Sequence, residues 1–318
     1  MRVDVHAHHV PAAYMEMLLQ GDGPTFGAPQ DDTTLQKMVE AQDTAGIDVQ
    51  LLSTGPNSPY LRHPELAAAA AREVNNHYRD IVDRYAGRFA AFGSVPLPHT
   101  EVAAAEAVRC LDELGFAGIH LGCSVLGRAL DDPSFSEMWA ELDRREAVIY
   151  VHPGGVMMGC EPGLSGMDDA VIAVTIGSAA ELATAALRLV ALCRTHHRLR
   201  VILGLLGGAL PSLVQRVSWI AGRWKGPSIL STTDRAGSLI EELQRFSYDT
   251  NFLPDPAALA AAQAAFGIDR LLFGSDAPAL APDVTSRFMR QAGLNDLQMA
   301  AVLSANPARV FGDRLSRG

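Results

Sequence analysis

Aromatic, basic and cysteine residues are all scarce in this chain, and no stretch of it is both long and uniformly apolar. Of 318 residues, aromatics make up 6% and charged residues 19%, with 26 Lys+Arg against 36 Asp+Glu and a formal charge of −10. An acidic chain has no basic field for phosphates, which argues against nucleic acid as a partner. Cys110, Cys123, Cys160 and Cys193 show no C-x-x-C spacing. Neither a zinc ribbon nor a disulfide framework is expected, and the thiols read as reduced and mostly buried. No run of about 18 apolar residues is free of charge; the best stretch, Leu187 to Cys193, is broken by Arg188. The opening Met1-Arg2-Val3-Asp4 lacks the basic-then-apolar order of an export signal. The expectation is a soluble cytoplasmic protein with no membrane partner. Also missing are G-x-G-x-x-G and G-x-x-x-x-G-K-[ST], the loops that cradle nucleotide phosphates.

What is present is a large apolar fraction, 48%, enough to exclude disorder as the main state. Short β-rich runs recur at Val3 to His6, Val49 to Ser53, Phe89 to Val95, Gly118 to Leu121, Val148 to His152, Val201 to Gly204, Phe246 to Thr250 and Leu271 to Ser275. Helix-like segments lie between them, among them Leu35 to Ala45, Pro64 to Tyr85, Glu101 to Leu114, Phe135 to Arg145, Ala179 to His196, Pro211 to Arg223 and Pro256 to Phe266. Strict βα alternation implies a parallel sheet, and eight units fit a closed (β/α)8 TIM barrel of the α/β class better than an open sheet. On that reading, residues 1–318 are one barrel domain. Pro11 to Thr34 and Pro153 to Ser178 are long connections after strands 1 and 5, rich in Gly, Pro and Met. They stand at the strand ends that carry a barrel's active site, so both are candidate pocket walls, with Met157, Met158 and Met167 as a soft apolar surface.

Chemistry-bearing residues gather at the same ends. In Asp4-Val5-His6-Ala7-His8, a strand period of two puts Asp4, His6 and His8 on one face. Two imidazoles at i and i+2 can converge on one metal at about 2.0–2.1 Å. His152 closes strand 5 before Pro153-Gly154-Gly155, and Asp276 closes strand 8. Three neutral imidazoles and a carboxylate make a four-ligand set that suits Zn²⁺ and accepts Mn²⁺ or Fe²⁺. His9 alternates to the opposite side. His196-His197 sit at a helix end where positive charge is favoured. His63, His77 and His99 carry no assigned function.

The opening V-D-x-H-x-H, the V-H-P ending strand 5, the G-G-A-L-P at Gly207 to Pro211 and the F-G-S-D-x-P at Phe273 to Pro278 are together similar to the amidohydrolase superfamily. Their order and the Gln50-Leu51-Leu52-Ser53-Thr54 stretch resemble its aminocarboxymuconate-semialdehyde decarboxylase branch. The resemblance spans nearly the whole chain. It implies a (β/α)8 barrel holding one divalent metal, most often Zn²⁺, through His6, His8, His152 and Asp276. It also implies removal of a carboxylate from a small aromatic or conjugated acid without redox chemistry, with hydrolysis of a C–C, ester or amide bond as the alternative. Glu181 resembles a family glutamate that orients a ligand from behind, a part Asp4 also suits. Arg216 resembles a family arginine that reaches a neighbouring subunit's pocket, which implies a homodimer and a bidentate grip on a substrate carboxylate. Arg223 and Trp224 suit the same interface.

Two positions depart from the family pattern. Where the family has G-H-x-G-G, with the histidine as acid/base, this chain has Gly204-Leu205-Leu206-Gly207-Gly208. Leucine moves no proton, and loss of a general base removes about 10²–10⁴ in rate. Three explanations follow: His120 or Asp276 substitutes; the substrate supplies its own relay or the reaction is not decarboxylation; or the metal site persists without turnover. The second departure is Lys37-Met38-Val39-Glu40, which lacks the arginine that grips the muconate carboxylate, so a muconate semialdehyde is a poor fit.

Overall fold

All eight expected strands form and pair side by side in chain order as one parallel sheet. They are β1 (Val3–His8), β2 (Val49–Ser53), β3 (Phe89–Ser94), β4 (Gly118–Gly122), β5 (Val148–His152), β6 (Arg200–Leu203), β7 (Ser247–Asp249) and β8 (Leu271–Leu272). The last strand returns to the first: Val5 N–H donates to Phe273 O (2.8 Å), Asp276 N–H to His6 O (2.8 Å) and His8 N–H to Ala277 O (2.7 Å). These bonds close the sheet into a (β/α)8 barrel. The computed structural model describes residues 1–154, 173–226, 228–230, 238–251 and 255–316.

Alternation along the strands separates two apolar layers. Val5, Leu51, Phe92, Tyr150, Ile202 and Leu272 fill the barrel, joined by Phe311 from the C-terminal helix, while Ala7, Leu52, Ala91, Ile119, Val151 and Leu203 face the helices. The helical shell begins with α1 (Ala12–Gln20), α2 (Asp32–Ala45), α3 (Pro64–Arg84), α4 (Thr100–Val108), α5 (Ser136–Arg144), α6 (Ser178–Cys193) and α7 (Leu210–Ala221). In α3 the small Ala67, Ala70 and Ala71 are buried, which lets the helix lie close to the strands. A longer helical run that includes α6, Val174–Cys193, would by length and composition suffice to cross a membrane. Here Leu182, Ala185, Ala186, Leu189 and Val190 are buried within the fold.

The connection after β1 is not the bare loop expected. It contains α1, which buries Tyr14, Met15 and Leu18, an apolar spacing that a Gly/Pro-based reading overlooks. A two-stranded hairpin, Ser124–Val125 with Arg128–Ala129, was also unforeseen; two-residue strands show no periodicity. Cys110, Cys123 and Cys193 are free and buried, as expected. Most of the segment after β5 lies outside the described residues, together with Cys160, Met157, Met158 and Met167.

Candidate metal centre

An irregularity in β1 shapes the site. Asp4 pairs with Gln50 and Ala7 with Leu52, so three steps on β1 match two on β2, a β-bulge with one extra residue. The single face expected for Asp4, His6 and His8 therefore fails at Asp4. Its carboxylate turns toward the helices: Oδ2 accepts from Gln50 Nε2 (2.8 Å) and Ser275 Oγ (2.6 Å), and Oδ1 from Ser275 N–H (3.0 Å). Oδ1 also accepts the His6 N–H at 3.2 Å, so Asp4 steadies His6 through the backbone of the bulge rather than through the ring. Burial pushes the Asp4 carboxyl above its ordinary value against the pull of these four bonds.

Past the bulge, His6 and His8 both enter the barrel and meet His152 from the end of β5. The three ring centroids lie 4.8–5.0 Å apart pairwise. One ligand nitrogen from each falls within 4.8 Å of the others. Every Nδ1 faces an acceptor: Asp249 Oδ2 at 2.8 Å for His6, Pro153 O at 2.7 Å for His152, and Ser53 O at 3.3 Å with Ser53 Oγ at 3.1 Å for His8. Carboxylates and carbonyls only accept, so each Nδ1 carries a proton, and in the neutral ring Nε2 is left with its lone pair for a cation. His6 Nε2 and His8 Nε2 lie 3.0 Å apart, with Asp276 Oδ1 at 3.5 and 3.1 Å from them. Lone pairs and a carboxylate crowded this closely repel unless a cation sits among them. This donor set fits a divalent metal.

Asp276 arrives by a backbone route as well as by sequence. Its φ of +75° is rare outside glycine, and its side chain remains 36% exposed, open to a ligand. Burial would raise its pKa, but His8, His6 and Asn251 outweigh that and hold it below the ordinary carboxylate value.

Asp249, at the end of β7, was missed by sequence reasoning, although the criterion that selected His152 and Asp276, a polar residue closing an apolar strand, applied equally to it. It is fully buried. Oδ2 accepts from His6 Nδ1 and from Tyr150 Oη at 3.0 Å, and Oδ1 from Leu205 N–H and Asn251 N–H, each at 3.0 Å. One carboxylate thus holds the His6 ring and the turn after β6. Room for this pair comes from Gly274, where a Cβ would come within 2.9 Å of His6 Cβ and 3.0 Å of Asp249 Cβ.

The charges at the centre call for a cation. Burial lowers the His6 pKa, but Asp249, Asp276 and Asp4 outweigh it and raise it to about 9. Burial, together with His8 and His6, drives His152 well below its ordinary value. Without metal, a proton on His6 answers the carboxylates. Because its folded pKa of about 9 exceeds the reference 6.5, that stabilisation is full below pH 6.5 and is lost as pH rises through 9. Metal-stripped protein should show a Tm that falls across this window, and excess Mn²⁺ or Zn²⁺ should flatten the fall. A stripped protein with no such fall would contradict the charge argument.

His120 stands inside the barrel: its register partners are Ser94 on β3 and Tyr150 on β5. Its ring centroid is 6.1 Å from that of His152. Burial, then His8 and His6, lower its pKa to about 3, so it is neutral at physiological pH. Leu205 and Leu206 take φ of +50° and +55°, followed by Gly207 and Gly208 at +77° and +65°, so two non-glycine residues hold a left-handed turn. Glu181 Oε2 accepts the Gly154 N–H at 2.9 Å, which steadies the chain two residues beyond His152. Arg216 is exposed on α7 and makes no ion pair among the described residues. His9 faces outward, as expected, and stacks on His77 at 5.2 Å.

The strand ends of this (β/α)8 barrel bring together three imidazoles able to hold a metal ion, with the Asp276 carboxylate beside two of them. The family described as Amidohydrolase matches residues 3–312, and the chain belongs to that family. Among its relatives, the 6-methylsalicylic acid decarboxylase of Aspergillus aculeatus is 30% identical over 100% of this chain and 97% of its own length. A gamma-resorcylate decarboxylase of Rhizobium radiobacter is 28% identical over 88% of this chain and 86% of its own length. The fold matches that of a dihydroxybenzoic acid decarboxylase from a Polaromonas species, solved with bound manganese and the inhibitor 2-nitroresorcinol. Its TM-score is 0.78 at 19% identity, over 98% of this chain and 97% of that one.

Proposed function

We propose that the chain is a metal-dependent, non-oxidative decarboxylase of a small hydroxylated aromatic acid. The convergence of one ligand nitrogen each from His6, His8 and His152, with Asp276 Oδ1 3.5 and 3.1 Å from the first two, carries this reading, and the decarboxylases among its relatives support it. His6, His8, His152 and Asp276 would hold one divalent cation. Zn²⁺ suits the imidazoles, and the manganese in the Polaromonas enzyme supports Mn²⁺. When bound, the cation supplies Lewis acidity toward a substrate oxygen.

The remaining chemistry belongs to the side chains. Asp276, ionised and partly open, takes the proton of the substrate's hydroxyl and delivers it to the ring carbon that bears the carboxylate. The bond from that carbon to the carboxylate then breaks, CO₂ leaves, and the electron pair restores the aromatic ring. His120 is neutral and offers Nε2 to a substrate oxygen. Leu205 presents an apolar wall at a position where this route needs no acid/base.

No lysine or arginine closes a strand among the described residues, so a cation for the substrate's carboxylate must come from elsewhere. Around Arg216, α7 exposes Leu213, Trp219 and Ile220, with Trp224 beyond it, and the Arg223 guanidinium stacks 4.1 Å from the Trp219 ring. Exposed aromatic and arginine residues in one patch suit a second copy of the chain, from which Arg216 would enter the pocket.

The test assays CO₂ release from 6-methylsalicylate and gamma-resorcylate, and hydrolysis of a panel of aromatic amides and esters, for wild type and Leu205→His loaded with Mn²⁺ or Zn²⁺. Wild type is expected to release CO₂, with no large gain in the variant. Hydrolysis without CO₂ release would replace decarboxylation, and an inert wild type rescued by Leu205→His would mark a barrel that has lost turnover. Sedimentation should give twice the chain mass; an active monomer would end the shared-pocket role of Arg216.

A further inference from the structure

We infer that Thr54, backed by Ser94, is a positioning residue that sets the tautomer of His120 and makes its Nε2–H the donor to a substrate oxygen. Only the identity of that ligand rests on the decarboxylase reading. Thr54 follows β2, and its side chain, like those of Ser94 and His120, is buried. Thr54 Oγ1 lies 3.2 Å from His120 Nδ1 and 3.3 Å from Ser94 Oγ. The backbone N–H and C=O of Ser94 are both occupied by the Asn75 side chain. For the Ser94 hydroxyl proton, Thr54 Oγ1 is the one acceptor found among the described residues.

In the proposed network Ser94 donates to Thr54. The Thr54 proton has two destinations, His120 Nδ1 and the Tyr14 hydroxyl, which is also hydrogen-bonded to Thr54. Tyr14 gives its own proton to Asn57 O. In the proposed network the Thr54 proton goes to His120, which leaves Nδ1 as acceptor and puts the ring's proton on Nε2. Nε2 is buried and has no partner among the described residues. A buried N–H without an acceptor is costly, so a fold retains one where a ligand completes it. Three metal-facing histidines carry their proton on Nδ1, while His120 carries it on Nε2: the first group offers lone pairs to a cation, the second a hydrogen to an anion's oxygen.

The experiment uses Zn²⁺-loaded full-length protein as wild type, Thr54→Val, Thr54→Ser and Ser94→Ala. Side-chain ¹⁵N shifts read the His120 tautomer, 2-nitroresorcinol titration reads binding, and gamma-resorcylate kinetics separate KM from kcat. Wild type should show His120 protonated at Nε2. Thr54→Val, nearly isosteric, should mix the tautomers and weaken 2-nitroresorcinol binding about tenfold, with KM rising more than kcat falls. Thr54→Ser should restore wild-type behaviour, metal content should be unchanged throughout, and Ser94→Ala should fall between the two. His120 protonated at Nδ1 in wild type, or Thr54→Val identical to wild type in tautomer and binding, overturns the inference. A wild type with Nε2–H that decarboxylates none of the acids upholds Thr54's role and overturns the decarboxylase reading instead.

Discussion

Replacing Asp249 with asparagine should weaken the affinity of the chain for Mn²⁺ or Zn²⁺ about 10–100-fold, the usual effect of losing the partner behind a metal-bound histidine. The carboxylate accepts on both oxygens: His6 Nδ1–H and the Tyr150 hydroxyl on one, Leu205 N–H and Asn251 N–H on the other. An asparagine has one oxygen and one NH₂, so whichever way it turns, donors meet donors on one side. If the NH₂ faces His6, the ring loses the contact that keeps its proton on Nδ1 and its lone pair on Nε2. If it faces the other way, the left-handed turn at Leu205 and Leu206 loses the bond that holds it. Competition titration against a chelator gives the affinity, and hydrogen exchange at Leu205 separates the two orientations. Tyr150→Phe removes one donor only and should cost about fivefold at most. Unchanged metal affinity in Asp249→Asn would show that His6 is oriented by packing alone.

His120→Asn should lower kcat/KM by about 10²–10⁴ while the protein still binds one metal per chain, the range seen when a positioned proton-handling or hydrogen-bonding group is lost. His120 is not one of the four residues proposed to hold the metal, so metal content separates a catalytic effect from collapse of the centre. The imidazole is neutral at physiological pH because burial, His8 and His6 lower its pKa to about 3. A catalytic contribution from His120 should therefore leave no titration step between pH 5 and 8, and the loss in the variant should be the same across that range. A variant with wild-type kcat/KM would pass the family histidine's role to Asp276 alone.

Much of this was legible from local pattern. Short apolar runs in strict alternation with helices specified eight strands and their parallel order, and the polar residues His152 and Asp276, each closing such a run, marked the catalytic end. His6 and His8 were legible for the same reason. Asp4 was not: its face depends on a bulge, and a bulge exists only once β1 pairs with β2. Asp249 closes a strand as His152 and Asp276 do, but its part as the partner of His6 lies in a contact 243 residues away along the chain. The direction of His120, uncertain by one residue in sequence, became definite through its register with Ser94 and Tyr150.

The sequence by itself determined the barrel and pointed to the strand-end residues His6, His8, His152 and Asp276, since periodicity and strand-end position are properties of a few neighbouring residues. Tertiary structure alone decided which nitrogen of His6, His8 and His152 faces an acceptor. Tautomers follow from the acceptor opposite each ring, and Asp249, Ser53 and Pro153 take those places only when the barrel has closed.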